Sequence, residues 1–310
     1  MICPNRIAPF ASLLLISTVW AHANAQTAQH LTLTADIGKS VYFEDEPIFL
    51  LVRLKNVGSD TAWVLGFGAA SHVVEMSVLR NGEEVPVGGV WVNYVCQRRD
   101  RCGEALAPGS SKLSAGIVQG RAGDERDLKR SLFPHHLGPG EYELRVSAFG
   151  LEAGPVTFRV RERSVTEAND VKELEAMQQM GWDTTRVAGH PRAAGYKAAL
   201  IEWVEGRARA QPDDPFLPFL LSNGLYGTGQ ILWRHIQAGE VQRFDPDTSE
   251  VVSQLRLEVI EANKYSIAGA YLVEALTARH LDQLAVLAER LGATPAGDMA
   301  RCAVQHARPR

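Results

Sequence analysis

The chain is short of catalytic signatures. It has no His-Glu-x-x-His zinc helix, no complete Gly-x-x-x-x-Gly-Lys-Ser/Thr phosphate loop and no Gly-x-Ser-x-Gly nucleophile elbow. Those absences remove the sequence marks of zinc peptidases, P-loop nucleotide hydrolases and α/β-hydrolases. Cysteine is scarce too: four among 310 residues are too few for a small scaffold built on disulfides. Positive charge is not in excess, since 32 Lys and Arg face 36 Asp and Glu, for a net charge of −4. A mildly acidic chain has no general attraction to nucleic acid or to an anionic membrane surface. Beyond residue 25 no run is long and apolar enough to cross a bilayer. No catalytic residue, metal or cofactor is expected.

What is present begins with a leader. Arg6 supplies a positive start, Ile7 to Trp20 an apolar run, and Ala21-His22-Ala23 and Ala23-Asn24-Ala25 two small-x-small cleavage points. That order predicts a signal peptide over residues 1–25 and a periplasmic or secreted protein. The run falls short of the roughly 20 apolar residues that a membrane anchor needs. Removing it takes away Arg6 and no acidic side chain, which moves the net charge from −4 to −5. In an oxidising compartment Cys96 and Cys102, which enclose five residues, are expected to close a local disulfide. Cys302 is expected to be a buried free thiol.

The rest of the chain has two rhythms. From His30 to about Glu162 apolar residues recur in steps of two, as at Leu31, Leu33 and Ala35. Strands are predicted at 47–54, 72–79, 113–118, 141–146 and 156–160, with others starting at Val85 and Val90. Asn81-Gly82 between alternating runs predicts a tight hairpin, because both central residues of that turn need positive φ. Alternation of this kind fits antiparallel sheet with one face wet. After Ser164 the spacing becomes helical. Val171, Leu174 and Met177 suggest one helix, and Tyr196, Leu200, Trp203 and Val204 a second. Asp214-Pro215 opens a third, and Ile231 to Ile236 mark a fourth. A longer helix begins near Ser249; others cover 267–278 and 281–291, and Thr294-Pro295 caps a last one bearing Cys302. The expected domains are therefore 26–163, all β, and 164–310, all α.

Two segments resemble known families. Tyr42-Phe43-Glu44-Asp45-Glu46-Pro47-Ile48, then Val52-x-Leu54-x-Asn56-x-Gly58, is similar to the opening of bacterial extracytoplasmic immunoglobulin-like domains of the macroglobulin type. Leu106-x-Pro108-Gly109 and Leu137-Gly138-Pro139-Gly140-Glu141-Tyr142 resemble the turns such domains place before later strands. The resemblance covers residues 30–162 and implies an antiparallel immunoglobulin-like β-sandwich with a binding or spacing role. Trp203-Val204-Glu205 through Asp214-Pro215 resembles the connection between tetratricopeptide-like repeats. No second copy at fixed period accompanies it, so an irregular helical bundle and a degenerate α-α repeat both stay open.

Candidate chemistry is sparse. His135-His136 lacks a second ligand cluster, and Asp245-x-Asp247-x-x-Glu250 lacks the central Gly and later Glu of a calcium loop. Gly224, Gly227 and Gly229 fall between helices, where a connection is expected and not a nucleotide site. Trp182, Trp203, Phe216, Phe219, Tyr226 and Trp233 are mainly core candidates, with a peptide groove as the other reading. One constellation stands out. Trp91 and Tyr94 lead into the Cys96–Cys102 loop, whose tip carries Arg98, Arg99 and Arg101. Aromatics and arginines are the types enriched at recognition hot spots, and a pinned loop loses less freedom on binding. The expected function is a noncatalytic exported protein that binds another protein or an envelope component. The alternatives are an extracytoplasmic peptidase inhibitor and a hydrolase with its site in the cleft between domains.

Overall fold

The computed structural model describes residues 30–44, 46–65, 67, 74–85, 87–91, 103–120, 137–164, 202–224, 250–276 and 281–307. Strands come first and helices after, as the change of rhythm predicts. In order, the strands are β1 (Leu31–Asp36), β2 (Val41–Phe43), β3 (Ile48–Asn56), β4 (Ala62–Leu65), β5 (Val74–Arg80) and β6 (Glu83–Val85). There follow β7 (Val87–Trp91), β8 (Gly103–Leu106), β9 (Ser111–Gly120), β10 (Gly140–Ala148) and β11 (Leu151–Arg161). The helices are α1 (202–210), α2 (Phe216–Phe219) running into a π-helical turn (Leu220–Gly224), α3 (Glu250–Ala262), α4 (Ile267–Leu276), α5 (Leu281–Leu291) and α6 (Pro295–Ala307). Among the described residues no helix is long and apolar enough to cross a membrane.

The strands form a four-stranded sheet in the order β1-β3-β9-β7, a five-stranded sheet in the order β2-β11-β10-β5-β6, and a β4–β8 ribbon. Pairing is antiparallel except between β2 and β11. Local chemistry sets the turns. Asn81 and Gly82 take φ of 54° and 82°, and Arg80 sits opposite Glu83, which is the tight hairpin expected there. Phe149 and Gly150 (φ 55° and 75°) make a second one between β10 and β11. This turn was not foreseen, because a Phe in the left-handed region is uncommon. Pro155 falls where the β10–β11 register shifts, between the Leu144–Val156 and Val146–Ala153 pairs, so its missing N–H costs no ladder bond.

The two large sheets share one apolar core. Leu50, Val52 and Leu54 of β3 meet Tyr142, Leu144, Val146, Phe158 and Val160 of β10 and β11 in a single cluster. Inside it Tyr142 stacks on Phe158 at 5.4 Å between ring centroids, and Tyr42 meets Phe158 edge-on at 6.1 Å. The five-stranded sheet has the expected wet outer face: along β10, Tyr142, Leu144, Val146 and Ala148 are buried, while Glu141, Glu143, Arg145 and Ser147 are not.

The four-stranded sheet departs from that expectation. On β3 the alternate residues Phe49 and Leu51 point away from the first core, and on β9 so do Leu113, Ala115 and Ile117. These side chains join a second core with Val259 and Ile260 of α3, Ile267, Ala270 and Tyr271 of α4, and Met299 of α6. Both faces of β3 and β9 are therefore largely dry, whereas Thr32 and Thr34 on the outer face of β1 stay exposed. That explains why Ile48-Phe49-Leu50-Leu51-Val52 is a continuous apolar run and not an alternating one.

Specific bonds fix the helices in place. Thr294 Oγ1 accepts the Gly297 N–H at 3.1 Å with Pro295 in the first helical position, as expected for the last helix. Asp214 Oδ1 accepts the Phe216 N–H at 2.8 Å at the start of α2. Arg53 of β3 pairs with Asp298 of α6 at 3.2 Å. The Arg163 guanidinium, just after β11, lies 4.1 Å from the Phe43 ring and 5.9 Å from that of Phe216. Cys302 is a buried free thiol whose sulfur accepts the Leu113 N–H at 3.4 Å, tying α6 to β9. The helices expected around 171–180 and 231–236 lie outside the described residues; of the second expected helix, opened by Pro191, the part before residue 202 does too, while its Trp203 and Val204 fall on α1.

A core shared by sheet and helices makes their unfolding cooperative. Ile117→Ala is expected to cost about 2–5 kcal/mol. Followed by circular dichroism in urea, helix and sheet signals will move to the same lower midpoint; a helix transition left at the wild-type midpoint would refute the shared core.

Candidate binding face

Among the described residues of the strand half, the β4–β8 ribbon carries the most exposed large aromatic side chain. Its register sets Ala62 opposite Leu106, Trp63 opposite Ala105, Val64 opposite Glu104 and Leu65 opposite Gly103. Ala62, Val64 and Leu106 turn into the first core. Strand alternation then directs Trp63 outward, where it is 65% exposed, across from an alanine. A small neighbour opposite leaves one side of the indole uncovered.

Asn56 holds this ribbon to the sheet. Its side chain is fully buried, and its Nδ2 donates to the carbonyls of Asp60 at 2.7 Å and Leu106 at 2.8 Å. Its Oδ1 accepts the Gly58 N–H at 2.9 Å. One amide thus secures the residues just before β4, the end of β8 and the turn between. A Cβ at Gly58 would stand 2.6 Å from His30 Cβ, so glycine is required by close approach. The Asn56-x-Gly58 spacing noted in the sequence therefore has a mechanical role.

The ribbon also forms one root of the arginine-rich loop. β7 ends at Trp91, paired with Gly116 on the edge of the four-stranded sheet, and β8 begins at Gly103, immediately after Cys102. Tyr94, Cys96, Arg98, Arg99, Arg101 and Cys102 lie outside the described residues, and so does the disulfide expected between Cys96 and Cys102. Of the five proposed binding residues, only the strand position of Trp91 is placed. Trp63 was missed in the sequence. Its four-residue strand, Ala62-Trp63-Val64-Leu65, does alternate, but it is too short to stand out between turn-rich flanks.

Other candidates resolve into structural roles or fall outside the described region. Gly38-Lys39-Ser40 has the ending of a phosphate loop but occupies the β1–β2 turn. There Gly38 takes φ 81°, its N–H bonds Asp36, and Lys39 pairs with Glu46. Phe216 and Phe219 are buried, and Trp203 packs against the same core, so these three line no open groove. His135, His136, Asp245 and Asp247 are outside the described residues. Among the described residues no group of three or more His, Cys, Asp or Glu side chains is disposed to hold a metal.

A second polar cluster sits in the seam between helices and sheet. Glu274, the one charged residue of α4, reaches β9: it accepts the Ala115 N–H and the Ser114 hydroxyl, the latter at 3.3 Å. Burial pushes its carboxyl up to about 8, against the opposing effect of those two donors. Tyr271, one turn back, is raised by burial and further by the Glu274 charge, with a hydrogen bond to Ser222 acting the other way. On α3, Arg256 is only 2% exposed and its Nε donates to the Leu221 carbonyl at 3.0 Å in the π-helical turn. The sequence signal for Glu274 was present: a lone carboxylate in an otherwise uncharged helix.

No family model and no curated protein matches the chain. Solved structures give weak likenesses. A Pseudomonas fluorescens alkylpurine DNA glycosylase bound to abasic-site DNA aligns at 13% identity and a TM-score of 0.25, over 43% of this chain and 30% of that one. The chain thus spans under a third of that protein's length. The CARDB domain of a Pyrococcus furiosus protein aligns at 14% identity and 0.23, over 43% of this chain and 96% of the domain. Salmonella α-2-macroglobulin aligns at 11% identity and 0.23, over 90% of this chain and 23% of that one. At such scores none of them bears on function, and the architecture rests on the strand pairing described above.

Because Asn56 closes three hydrogen bonds in a dry site, Asn56→Ala is expected to destabilise the protein by roughly 2–4 kcal/mol. Trp63→Ala, at an exposed position, is expected to change stability by no more than about 0.5 kcal/mol. Chemical denaturation of both variants checks the contrast.

Proposed function

We propose that this is an exported, noncatalytic binding protein whose recognition face is the β4–β8 ribbon together with the loop between β7 and β8. The carrying observation is Trp63, solvent-exposed on a ribbon that continues directly into Arg101, Arg99 and Arg98. An indole with one open side supplies apolar contact area at little entropic cost, and the arginines supply paired hydrogen bonds to carboxylates. The partner is thus an acidic protein or envelope component. The leader over residues 1–25 supports a periplasmic or secreted setting, in which the Cys96–Cys102 disulfide would shape the loop.

The scaffold is read as an immunoglobulin-like β-sandwich. Two sheets share the first core, the short β2 lies parallel to the last strand β11, and Tyr142 at the start of β10 donates to the Gly138 carbonyl at 2.6 Å. The last feature has the form of a tyrosine corner, in which a strand-opening Tyr bonds the backbone a few residues upstream. Arg80 completes it by donating to the Pro139 carbonyl at 2.6 Å with its guanidinium 5.8 Å from the Tyr142 ring. The helices have a bracing role in this reading, since they cover the sheet face opposite the first core.

A photo-crosslinking residue at Ala105, used on intact envelope, will capture a discrete acidic partner. Trp63→Ala and the Arg98, Arg99 and Arg101 to Ser triple variant are each expected to lower recovery at least about tenfold, the loss of one hot spot. Equal recovery from wild type and both variants sinks the proposal.

A further inference from the structure

Two tight hairpins in the strand half share a backbone form and differ in one side chain. Between β5 and β6, Asn81 and Gly82 take φ of 54° and 82°; between β10 and β11, Phe149 and Gly150 take 55° and 75°. Asn-Gly is the pair this geometry favours, because Asn enters the left-handed region at small cost and Gly at none. Phe gains nothing from that backbone and is strained there through its Cβ. The turn by itself gives no reason for a Phe at 149. Its surroundings do: Asn81 is exposed, whereas Phe149 is partly buried against the first core.

The Phe149 ring stacks on Phe67, with 6.2 Å between centroids and 28° between planes. Phe67 is buried in the first core and follows the last residue of β4 by two positions. At that end of the ribbon Leu65 faces Gly103, and the chain before Gly103 is Cys102 and Arg101. Neither ribbon strand pairs with a large sheet. Asn56 secures the opposite end, where Asp60 precedes β4 and Leu106 closes β8. Phe149 therefore grips the chain just past the end that Asn56 does not bond, from a hairpin rooted in the five-stranded sheet. An offset aromatic pair adds attraction beyond the apolar area it buries, of the same order as the strain of a left-handed residue.

We propose that Phe149 is a positioning residue for the candidate binding face: its ring, placed by the left-handed turn, clamps Phe67 and so steadies the far end of the β4–β8 ribbon. Its part in recognition rests on the reading of that ribbon as the binding face; the clamp itself does not. With both ends held, Trp63 keeps one orientation, and less freedom is lost when a partner docks. The strain is local to the turn, and the stacking attraction is delivered to the ribbon. Replacing Phe149 by Asn removes both. For the whole fold the two effects offset, while the ribbon loses its clamp.

Hydrogen exchange, corrected for intrinsic rates, separates the ribbon from the whole fold. In Phe149→Asn the opening constants of the β4 and β8 amides are expected to rise roughly five- to tenfold, while those in the centres of β3 and β10 stay within about twofold of wild type. Phe149→Tyr, which keeps the stacked ring, is expected to match wild type in both regions. Unchanged ribbon amides in Phe149→Asn, or an equal rise in ribbon and sheet centres, overturn the clamp. Should that variant not fold, the unaltered chain decides by NMR: nuclear Overhauser contacts between the Phe67 and Phe149 rings support the clamp, and their absence overturns it. With the photo-crosslinking residue at Ala105, Phe149→Asn is expected to capture about fivefold less partner than Phe149→Tyr, and equal capture overturns the positioning role. No capture by the wild type sinks the binding face and the positioning role with it, whereas the exchange result still decides the clamp.

Discussion

The structure depends on two neighbouring strands, β3 and β9, having almost no wet side. β3 and β9 put alternate residues into two different cores, with Leu50, Val52 and Leu54 meeting the five-stranded sheet and Phe49, Leu113, Ala115 and Ile117 meeting the helices. At about 25 cal/mol per Å² of apolar surface removed from water, covering the second face is a large stabilising contribution. It also makes the helices part of the same folding unit as the strands they cover. Polar backbone in such a layer has to be satisfied from within. Glu274, Cys302 and the Arg53–Asp298 pair each serve this seam, and each comes from a helix to a strand.

The same economy shapes the candidate face. The ribbon lies outside both large sheets, so it has one core-facing side, Ala62, Val64 and Leu106, and one side that nothing among the described residues covers. Asn56 is the polar bolt that holds it there. A short ribbon fixed by buried hydrogen bonds is a stiff mount for an exposed indole, and stiffness lowers the entropic cost of recognition. The wet outer face of the five-stranded sheet offers no such feature: Glu143 pairs with Arg145 and Glu141 with Arg159, giving mixed charge throughout.

Legibility followed the range of the causes. The Asn81-Gly82 hairpin, the Thr294-Pro295 cap and the α3 to α6 helices were readable because each is set by neighbours in sequence. β4 was not, since four residues between turns make too little pattern. The far extent of the β10–β11 hairpin was also hidden, because it closes through a Phe in a conformation that Phe seldom adopts. The Asn56 and Tyr142 motifs could be noticed in the sequence, while their hydrogen bonds to Leu106 and Gly138 could not. Trp63 escaped notice along with its strand, and the loop residues singled out beside it lie mostly outside the described part of the chain.

The order strands-then-helices, the Asn81-Gly82 turn and the Thr294-Pro295 helix start were determined by the sequence alone, because periodicity and turn chemistry act within a few residues. Tertiary structure alone decided that the second rhythm folds back onto the first. It thereby covered most of the outer face of β3 and β9, turned Trp63 to solvent and brought Glu274 of α4 onto β9. Those outcomes depend on which surfaces meet across more than a hundred residues of chain, and burial is a property of the meeting, not of either strand or helix by itself.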